Sequence, residues 1–147
     1  MGSSIQAFFI NRSAPITVRG ARARFGVHCL FRQTCRAQVL FSHGNAEDLS
    51  TIYHYFKEFA KAVDVNILAY DYTGYGKNRG EPSEAHVCAD IEAAWKHLIE
   101  TRKMRPNEVV LYGRSVGSGA TCYLAQKLSI EGSPPGACAC ARVHRMD

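Results

Sequence analysis

The sequence contains no apolar run long enough to cross a membrane, so we expect no membrane-spanning helix. The apolar stretch at residues 7–10 is too short for the core of a secretory signal peptide, and no small-residue cleavage site follows it. None of the six cysteines belongs to a Cys-x-x-Cys pair, and Cys88 and Cys122 fall in helical patterns. We therefore predict a cytoplasmic protein, not a secreted one, with these two cysteines reduced in its core and no metal site.

The glycine-rich stretch at residues 113–119 lacks the marks of two phosphate-binding loops. A P-loop ends in Gly-Lys-Ser or Gly-Lys-Thr, whereas Gly117-Ser118-Gly119-Ala120 stands here. A dinucleotide-binding fingerprint needs a third glycine three residues after Gly119, where this chain has Cys122. We therefore expect no nucleotide at this stretch, and we predict no cofactor.

The sequence also lacks aromatic residues interleaved with its basic residues. The formal net charge is +5 at pH 7, and much of the positive charge lies near the N-terminus, at Arg12, Arg19, Arg22, Arg24, Arg32 and Arg36. Such a face suits an anionic membrane surface or nucleic acid, but no nucleic-acid motif accompanies it. We interpret it as a solvated face and expect no nucleic-acid partner, with a peripheral membrane contact as the alternative.

What is present is a Gly-x-Ser-x-Gly pattern centred on Ser115. An apolar, β-branched run at residues 109–112 precedes it and indicates a buried strand, whereas helical spacing of apolar residues begins at Val116. A strand that turns sharply into a helix, with serine at the corner, is typical of a nucleophile elbow. Gly113 and Gly117 leave room where side chains would collide with backbone. The N–H of Val116, at the helix N-terminus, can stabilise an oxyanion.

Strand and helix patterns alternate from residue 37 onward. They predict strands at residues 37–41, 65–70 and 109–112, and helices that open at Glu47-Asp48, at Pro82-Ser83 and after Ser115. This alternation predicts a parallel sheet with right-handed crossovers and helices on its faces. Ligands bind beyond the carboxyl ends of such strands, where both His43-Gly44-Asn45 and Ser115 fall.

The two ends of the chain have weaker patterns. Candidate strands lie near the N-terminus at residues 7–10 and 25–31, around a turn at Pro15 and Gly20. After Ile130 no periodicity remains, so we predict a disordered tail over residues 132–147 that does not belong to the folded domain. The strand at residues 109–112 would then have an open, apolar edge.

Several segments together resemble α/β-hydrolase-fold serine hydrolases. They are residues 40–49 (LFSHGNAEDL), 70–76 (YDYTGYG), 82–84 (PSE), 90–95 (DIEAAW) and 111–119 (LYGRSVGSG). The resemblance covers roughly residues 25–130 and is nearest to the branch that includes membrane-associated protein depalmitoylases. It implies a three-layer α/β-hydrolase fold with a mostly parallel sheet, of which residues 1–131 would be the N-terminal part, ending after the elbow helix. It also implies a hydrolase that removes acyl groups from thioesters or carboxylic esters.

The resemblance implies a role for each matching residue. Ser115 would be the nucleophile, and the backbone N–H groups of Asn45 and Val116 would form the oxyanion hole. His43 and Gly44 would shape the oxyanion loop, and His43 would not be the catalytic base because it lies within that segment. The substrate would be an acylated protein or a small ester or thioester.

One departure concerns the rest of the triad, which this family supplies in the order Ser, Asp or Glu, His. His144 and Asp147 follow the serine in the reverse order and lie in the patternless tail. Three other titratable residues on the long helix are interpreted as solvent-facing or packing residues: His86, Asp90 and His97. We therefore expect the triad acid and histidine to be absent from this chain. We likewise expect no counterpart of the cysteine-rich N-terminal anchor that the resemblance implies.

Three hypotheses follow from these observations. The first is a hydrolase of acyl thioesters or carboxylic esters, similar to the protein depalmitoylases. The second is an inactive fragment or isoform that keeps the fold without the triad acid and histidine, and acts as a binding or regulatory domain. The third, a basic surface-binding module, depends only on the arginines.

Overall fold

The computed structural model describes residues 15–18, 21–24, 27–30 and 37–141. Its strands are β1 (Pro15–Val18), β2 (Ala21–Arg24), β3 (Val27–Leu30), β4 (Gln38–Ser42), β5 (Asn66–Tyr70), β6 (Val109–Arg114) and β7 (Ala137–Ala141). Its α-helices are α1 (Leu49–Val63), α2 (Glu84–Lys96) and α3 (Val116–Ile130). A π-helical turn at His97–Thr101 continues α2, and a 3-10 turn at Pro106–Glu108 leads into β6.

Within these residues the main sheet has the strand order β3-β5-β4-β6-β7. The strands β5, β4, β6 and β7 are parallel to their neighbours, and β3 runs antiparallel at one edge beside β5. β1 and β2 form a separate antiparallel pair. The predicted alternation of strand and helix from residue 37 onward is confirmed, as is a mostly parallel sheet.

Local sequence signals set where the helices begin. Asp48 is the N-cap of α1, and its carboxylate accepts hydrogen bonds from the backbone N–H groups of Ser50 and Thr51. Ser83 caps α2 in the same way, accepting from the N–H of His86. These caps satisfy N–H groups that have no partner inside the helix. The predicted starts of both helices are therefore confirmed to within two residues.

The sheet lies between two layers of helix. Alternate residues of each strand point to opposite faces of the sheet, so its apolar residues are buried on both faces. Leu40, Leu68 and Leu111 pack on one face against α2 and α3, with Ile91 and Leu124 buried there. Residues of the other face pack against α1, among them Val39, Phe41, Ile67 and Phe56. Every residue of β4 and β5 is buried, which requires helices on both faces. The predicted three-layer architecture is confirmed.

The expectation of an unstructured tail is wrong for residues 137–141, which form β7. The main chain of this segment pairs in parallel with β6, from Val110 opposite Ala137 to Arg114 opposite Ala141. The segment before it is also anchored, because the N–H of Gly136 donates to the carbonyl of Val109 at 2.9 Å. Alanine and cysteine carry no periodic signal, so this pairing was not visible in the sequence. The predicted open edge of β6 is likewise wrong, since β7 covers it.

Expectations for Pro15 and Cys122 need correction, and those for two terminal segments fall outside the described residues. Pro15 opens β1 instead of marking a turn, a position that a strand tolerates because the first residue need not donate to the ladder. Cys122 is exposed, because α3 buries Ala120, Thr121 and Leu124 on its other side. The candidate strand at residues 7–10 and the segment 142–147 lie outside the described residues.

Candidate active site

Ser115 occupies the corner between β6 and α3, as predicted. Its backbone has φ 53° and ψ −118°, a conformation that residues other than glycine rarely adopt. Such strain is maintained only where the surrounding structure imposes it, and it is concentrated at functional sites. The first N–H groups of α3 follow at once, and the N–H of Val116 has no acceptor inside the helix.

Two glycines allow the corner to pack against neighbouring backbone. A Cβ atom on Gly117 would lie 2.2 Å from the carbonyl oxygen of Ser42 and 2.7 Å from that of His43. A Cβ atom on Gly113 would lie 2.4 Å from the Gly117 carbonyl oxygen. α3 can therefore approach the carboxyl end of β4 only because position 117 has no side chain. This approach brings Ser115 to the loop that follows β4.

The segment His43–Asp48, which we call the oxyanion loop, lies beside Ser115. A Cβ atom added to Gly44 would be 3.6 Å from the Cβ atom of Ser115, so the two segments lie side by side, close enough for an added methyl group to touch both. The Asn45 side chain is held by the Tyr75 hydroxyl, which donates to its Oδ1 at 2.8 Å. The structure thus brings together the two segments that the sequence predicted to meet.

His43 lies buried beneath the surface of the oxyanion loop and packs the loop against Tyr72. Its side chain is fully buried, and its carbonyl accepts a hydrogen bond from the Tyr72 hydroxyl at 2.7 Å. Its Nδ1 lies 2.9 Å from the Gly44 carbonyl oxygen, whereas its Nε2 is 3.6 Å from Oδ1 of Asp71 and makes no hydrogen bond. Burial lowers the pKa of His43, which favours the neutral ring. The fully buried ring packs on Tyr72 and is a structural element of the loop. That His43 is not the base stays a prediction.

Two buried carboxylates, those of Asp71 and Asp90, stabilise the loop after β5, and no role for Asp71 was predicted from the sequence. Oδ1 of Asp71 accepts from the N–H of Leu49 at 2.9 Å, and burial raises the pKa of Asp71 to about 6. Asp90 accepts from the N–H of Thr73 at 2.7 Å and from its hydroxyl at 3.1 Å. Burial raises the pKa of Asp90 as well. Asp90 is thus a buried, hydrogen-bonded packing residue, one of the two roles predicted for it from the sequence.

Glu47 and Arg114 connect the oxyanion loop to the elbow. Oε2 of Glu47 accepts from the N–H of Gly44 at 2.9 Å, while Oε1 is bonded to the Arg114 guanidinium. Arg114 is the residue directly before Ser115. Sequence reasoning interpreted Glu47 only as an acidic residue near a helix N-terminus, and nothing in the local pattern linked it to a residue 67 positions away.

The remaining members of a triad are not assembled within residues 37–141. No hydrogen bond joins the Ser115 hydroxyl to a histidine among the described residues, and the Nδ1 of His86 lies 2.9 Å from the Glu81 carbonyl. His144 and Asp147 lie outside the described residues. Among the residues described, no group of three or more His, Cys, Asp or Glu side chains is arranged to hold a metal ion.

A family model described as serine aminopeptidase, S33 matches residues 33–133, which include the oxyanion loop and the elbow. The chain belongs to this α/β-hydrolase family. It is 39% identical over 114 residues to alpha/beta hydrolase domain-containing protein 17B of Xenopus laevis, a match that covers 76% of this chain and 38% of the relative. It is 45% identical over 93 residues to protein 17C of Xenopus tropicalis, covering 63% of this chain and 30% of the relative. The chain thus spans less than two fifths of the length of these curated relatives.

Solved structures show the same fold. An alpha-beta hydrolase from Vibrio vulnificus matches with a TM-score of 0.68 at 21% identity, over 79% of this chain and 40% of that one. An esterase from the bacterial hormone-sensitive lipase family matches with a TM-score of 0.61 at 25% identity, over 78% and 39%. Together these matches confirm the α/β-hydrolase resemblance. In the described part of the chain, no helix has both the length and the apolar character that a membrane crossing needs.

Proposed function

We propose that this chain carries the nucleophile and the oxyanion hole of a serine hydrolase that cleaves acyl thioesters or carboxylic esters. The observation that carries the proposal is the strained Ser115 at the β6–α3 corner, beside the oxyanion loop. In the reaction, the Ser115 oxygen would attack the acyl carbonyl carbon and form a tetrahedral oxyanion. The N–H groups of Asn45 and Val116 would donate to that oxyanion, and Gly113 and Gly117 would permit the geometry.

The two halves of the reaction place different demands on the protein. Collapse of the tetrahedral intermediate expels a thiolate or an alcohol and leaves an acyl-serine, which water then hydrolyses to the free acid. A thiol has a pKa near 8.5, so a thiolate leaves with little help from a general acid. Removal of the serine proton still needs a base. We infer that the base and its carboxylate partner are supplied outside residues 37–141.

The substrate class follows from the resemblance to protein depalmitoylases, which the similarity to alpha/beta hydrolase domain-containing proteins supports. An acylated protein, or a small ester or thioester, would be the substrate. A cytoplasmic location with a peripheral membrane contact fits such a substrate, because acylated proteins lie at membranes. These assignments are proposals for the longer protein to which the matched relatives correspond.

A binding role without catalysis is the second candidate, and the absence of an assembled triad in the described residues favours it for the isolated chain. Loss of the base lowers kcat by about 10⁶-fold in a triad enzyme, while the remaining groups retain roughly 10³–10⁴-fold catalysis over water. We therefore expect the 147-residue chain to hydrolyse short acyl thioesters barely above background. A version extended with the following strands of a relative should be active.

The test combines fluorophosphonate labelling with thioester turnover on both chains. In the extended chain, Ser115→Ala should abolish labelling and turnover, whereas Ser129→Ala, an exposed serine on the same helix, should change neither. An extended chain that is folded but unlabelled would reject the hydrolase proposal and favour the binding role. Strong Ser115-dependent labelling of the short chain would show that it contains a base, and His144 would be the first residue to replace.

A further inference from the structure

Beyond the nucleophile and the N–H donors, the pair formed by Glu47 and Arg114 joins the two halves of the site. The Glu47 carboxylate uses one oxygen for the N–H of Gly44 in the oxyanion loop and the other for the guanidinium of Arg114 at the end of β6. Gly44 precedes the proposed donor Asn45, and Arg114 precedes the proposed nucleophile Ser115. One side chain therefore links the residues before both reacting groups.

Burial makes this link stronger than an ordinary surface ion pair. The exposed fractions of the side chains are 16% for Glu47 and 30% for Arg114. Hydrogen bonds between charged partners are about twice as strong as neutral ones, and partial exclusion of water increases their effect. The Arg114 guanidinium also lies over the ring of Tyr55, 5.8 Å from its centroid, which limits its movement.

The charge of Glu47 matters for the chemistry as well as its position. A carboxylate beside the loop would repel the negative oxygen that develops when Ser115 attacks an acyl group. The guanidinium neutralises this carboxylate while leaving it free to accept from Gly44. At an effective dielectric constant near 20, an uncompensated unit charge within several ångströms of the oxyanion lowers the oxyanion's stability by more than tenfold in an equilibrium constant.

We propose that Glu47 and Arg114 are positioning residues for the acyl-transfer reaction: Glu47 sets the oxyanion loop against the elbow, and Arg114 cancels its charge. This inference rests on the proposed function, because it assigns a role at the same site. It predicts an asymmetry between single and double variants that a purely structural ion pair would not produce. Removing Arg114 leaves a carboxylate next to the oxyanion, whereas removing both charges does not.

The first measurement does not depend on catalysis. Amide hydrogen exchange of Gly44, followed by NMR in the 147-residue chain, reports the hydrogen bond to Glu47 directly. Glu47→Ala should accelerate exchange of this amide about tenfold, the effect of losing a charge-assisted hydrogen bond. Glu47→Gln keeps an acceptor oxygen and should leave it within about threefold of the parent chain. Unchanged Gly44 exchange in Glu47→Ala would overturn the inference.

The second measurement probes the oxyanion with n-butylboronic acid. The Ser115 oxygen adds to boron, the serine proton is released to solvent, and the boron becomes a tetrahedral anion that resembles the reaction intermediate. Its affinity for the extended chain, which contains the base, can be measured by boron NMR without a leaving group. We expect Arg114→Ala to weaken binding about tenfold, and the double variant Arg114→Ala/Glu47→Gln to recover most of that loss. Arg114→Lys, which keeps the charge, should lose less than Arg114→Ala.

A matched control and the opposing outcomes complete the design. Arg105→Ala removes an arginine from the exposed pair with Glu108 and should leave boronate affinity unchanged. If Arg114→Ala and the double variant bind as tightly as the parent chain, or are weakened equally, the charge-cancelling role is overturned. If the extended chain shows no Ser115-dependent binding although Gly44 exchange behaves as expected, the proposed function fails. In that case the pair is a structural link and not a positioning pair.

Discussion

The Nε2 atom of His43 lies 3.6 Å from Oδ1 of Asp71, directly below the oxyanion loop. The exposed fraction is 0% for the His43 side chain and 8% for that of Asp71. Burial opposes the charged form of each, lowering the pKa of His43 and raising that of Asp71. These opposite pKa shifts have opposite consequences for the pH dependence of stability. The substitution Asp71→Asn separates the contribution of Asp71 from that of His43.

Asp71→Asn should remove one contribution to that pH dependence. The pKa of Asp71 rises from 3.8 to about 6 on folding, so the folded state binds the proton more tightly. This contribution is fully present below pH 4 and is lost as the pH rises through 6, amounting to about 2 to 3 kcal/mol. The lowered pKa of His43 acts the other way, because the unfolded chain takes up a proton below its ordinary pKa of 6.5.

Urea unfolding of the parent chain and of Asp71→Asn at pH 4, 5, 6 and 7 measures the contribution of Asp71 to the free energy of unfolding. The variant should gain stability relative to the parent chain as the pH rises from 4 to 7, since its amide keeps an acceptor for Leu49 without a charge. Ser129→Ala, an exposed substitution that removes no ionisable group, is the control and should run parallel to the parent chain. Parallel curves for Asp71→Asn would show that the burial of Asp71 has no such effect.

Two glycines on the same helix should respond oppositely to alanine. Gly117→Ala places a Cβ atom 2.2 Å from the Ser42 carbonyl oxygen, so α3 must move away from β4. We expect a loss of more than about 2 kcal/mol in the free energy of unfolding. Gly119→Ala meets no atom within 4 Å and should stabilise α3 by up to about 1 kcal/mol. Thermal and urea unfolding measure both, and equal effects would contradict the close approach at the elbow.

The free edge of β7 should promote self-association. In the described part of the sheet, β7 is the strand beyond β6, and its residues are small alanines and cysteines without a charge. Unprotected edges of this kind pair with other strands. Ala139→Lys introduces an edge charge at an exposed position and should reduce association. Sedimentation velocity of the two chains tests this, and a monomeric parent chain would contradict it.

Much of the fold was predictable because its signals are local. The buried strands β4 and β5 contain short apolar runs at residues 39–41 and 67–70, and Asp48 and Ser83 are N-cap residues at the starts of helices with an apolar stripe. Parallel topology then follows from the alternation of strand and helix. The proximity of the oxyanion loop and Ser115 follows in turn, because the carboxyl ends of adjacent parallel strands meet at one edge of the sheet.

What was missed depends on contacts between distant segments. β7 has no periodic pattern, and it is a strand only because the edge of β6 offers backbone partners. Cys122 is exposed because of which face α3 turns to the sheet, which the spacing of its apolar residues left undecided.

The sequence by itself determined the class of fold, the elbow at Ser115 and the family to which the chain belongs, because each depends on residues close together in the chain. Only the tertiary structure decided that Glu47 binds Arg114, that Asp71 lies beside His43, and that residues 137–141 complete the sheet. The physical reason is that these interactions join segments that the backbone brings together only after the sheet has formed. Burial then sets their strength and their pKa values, and no local pattern encodes it.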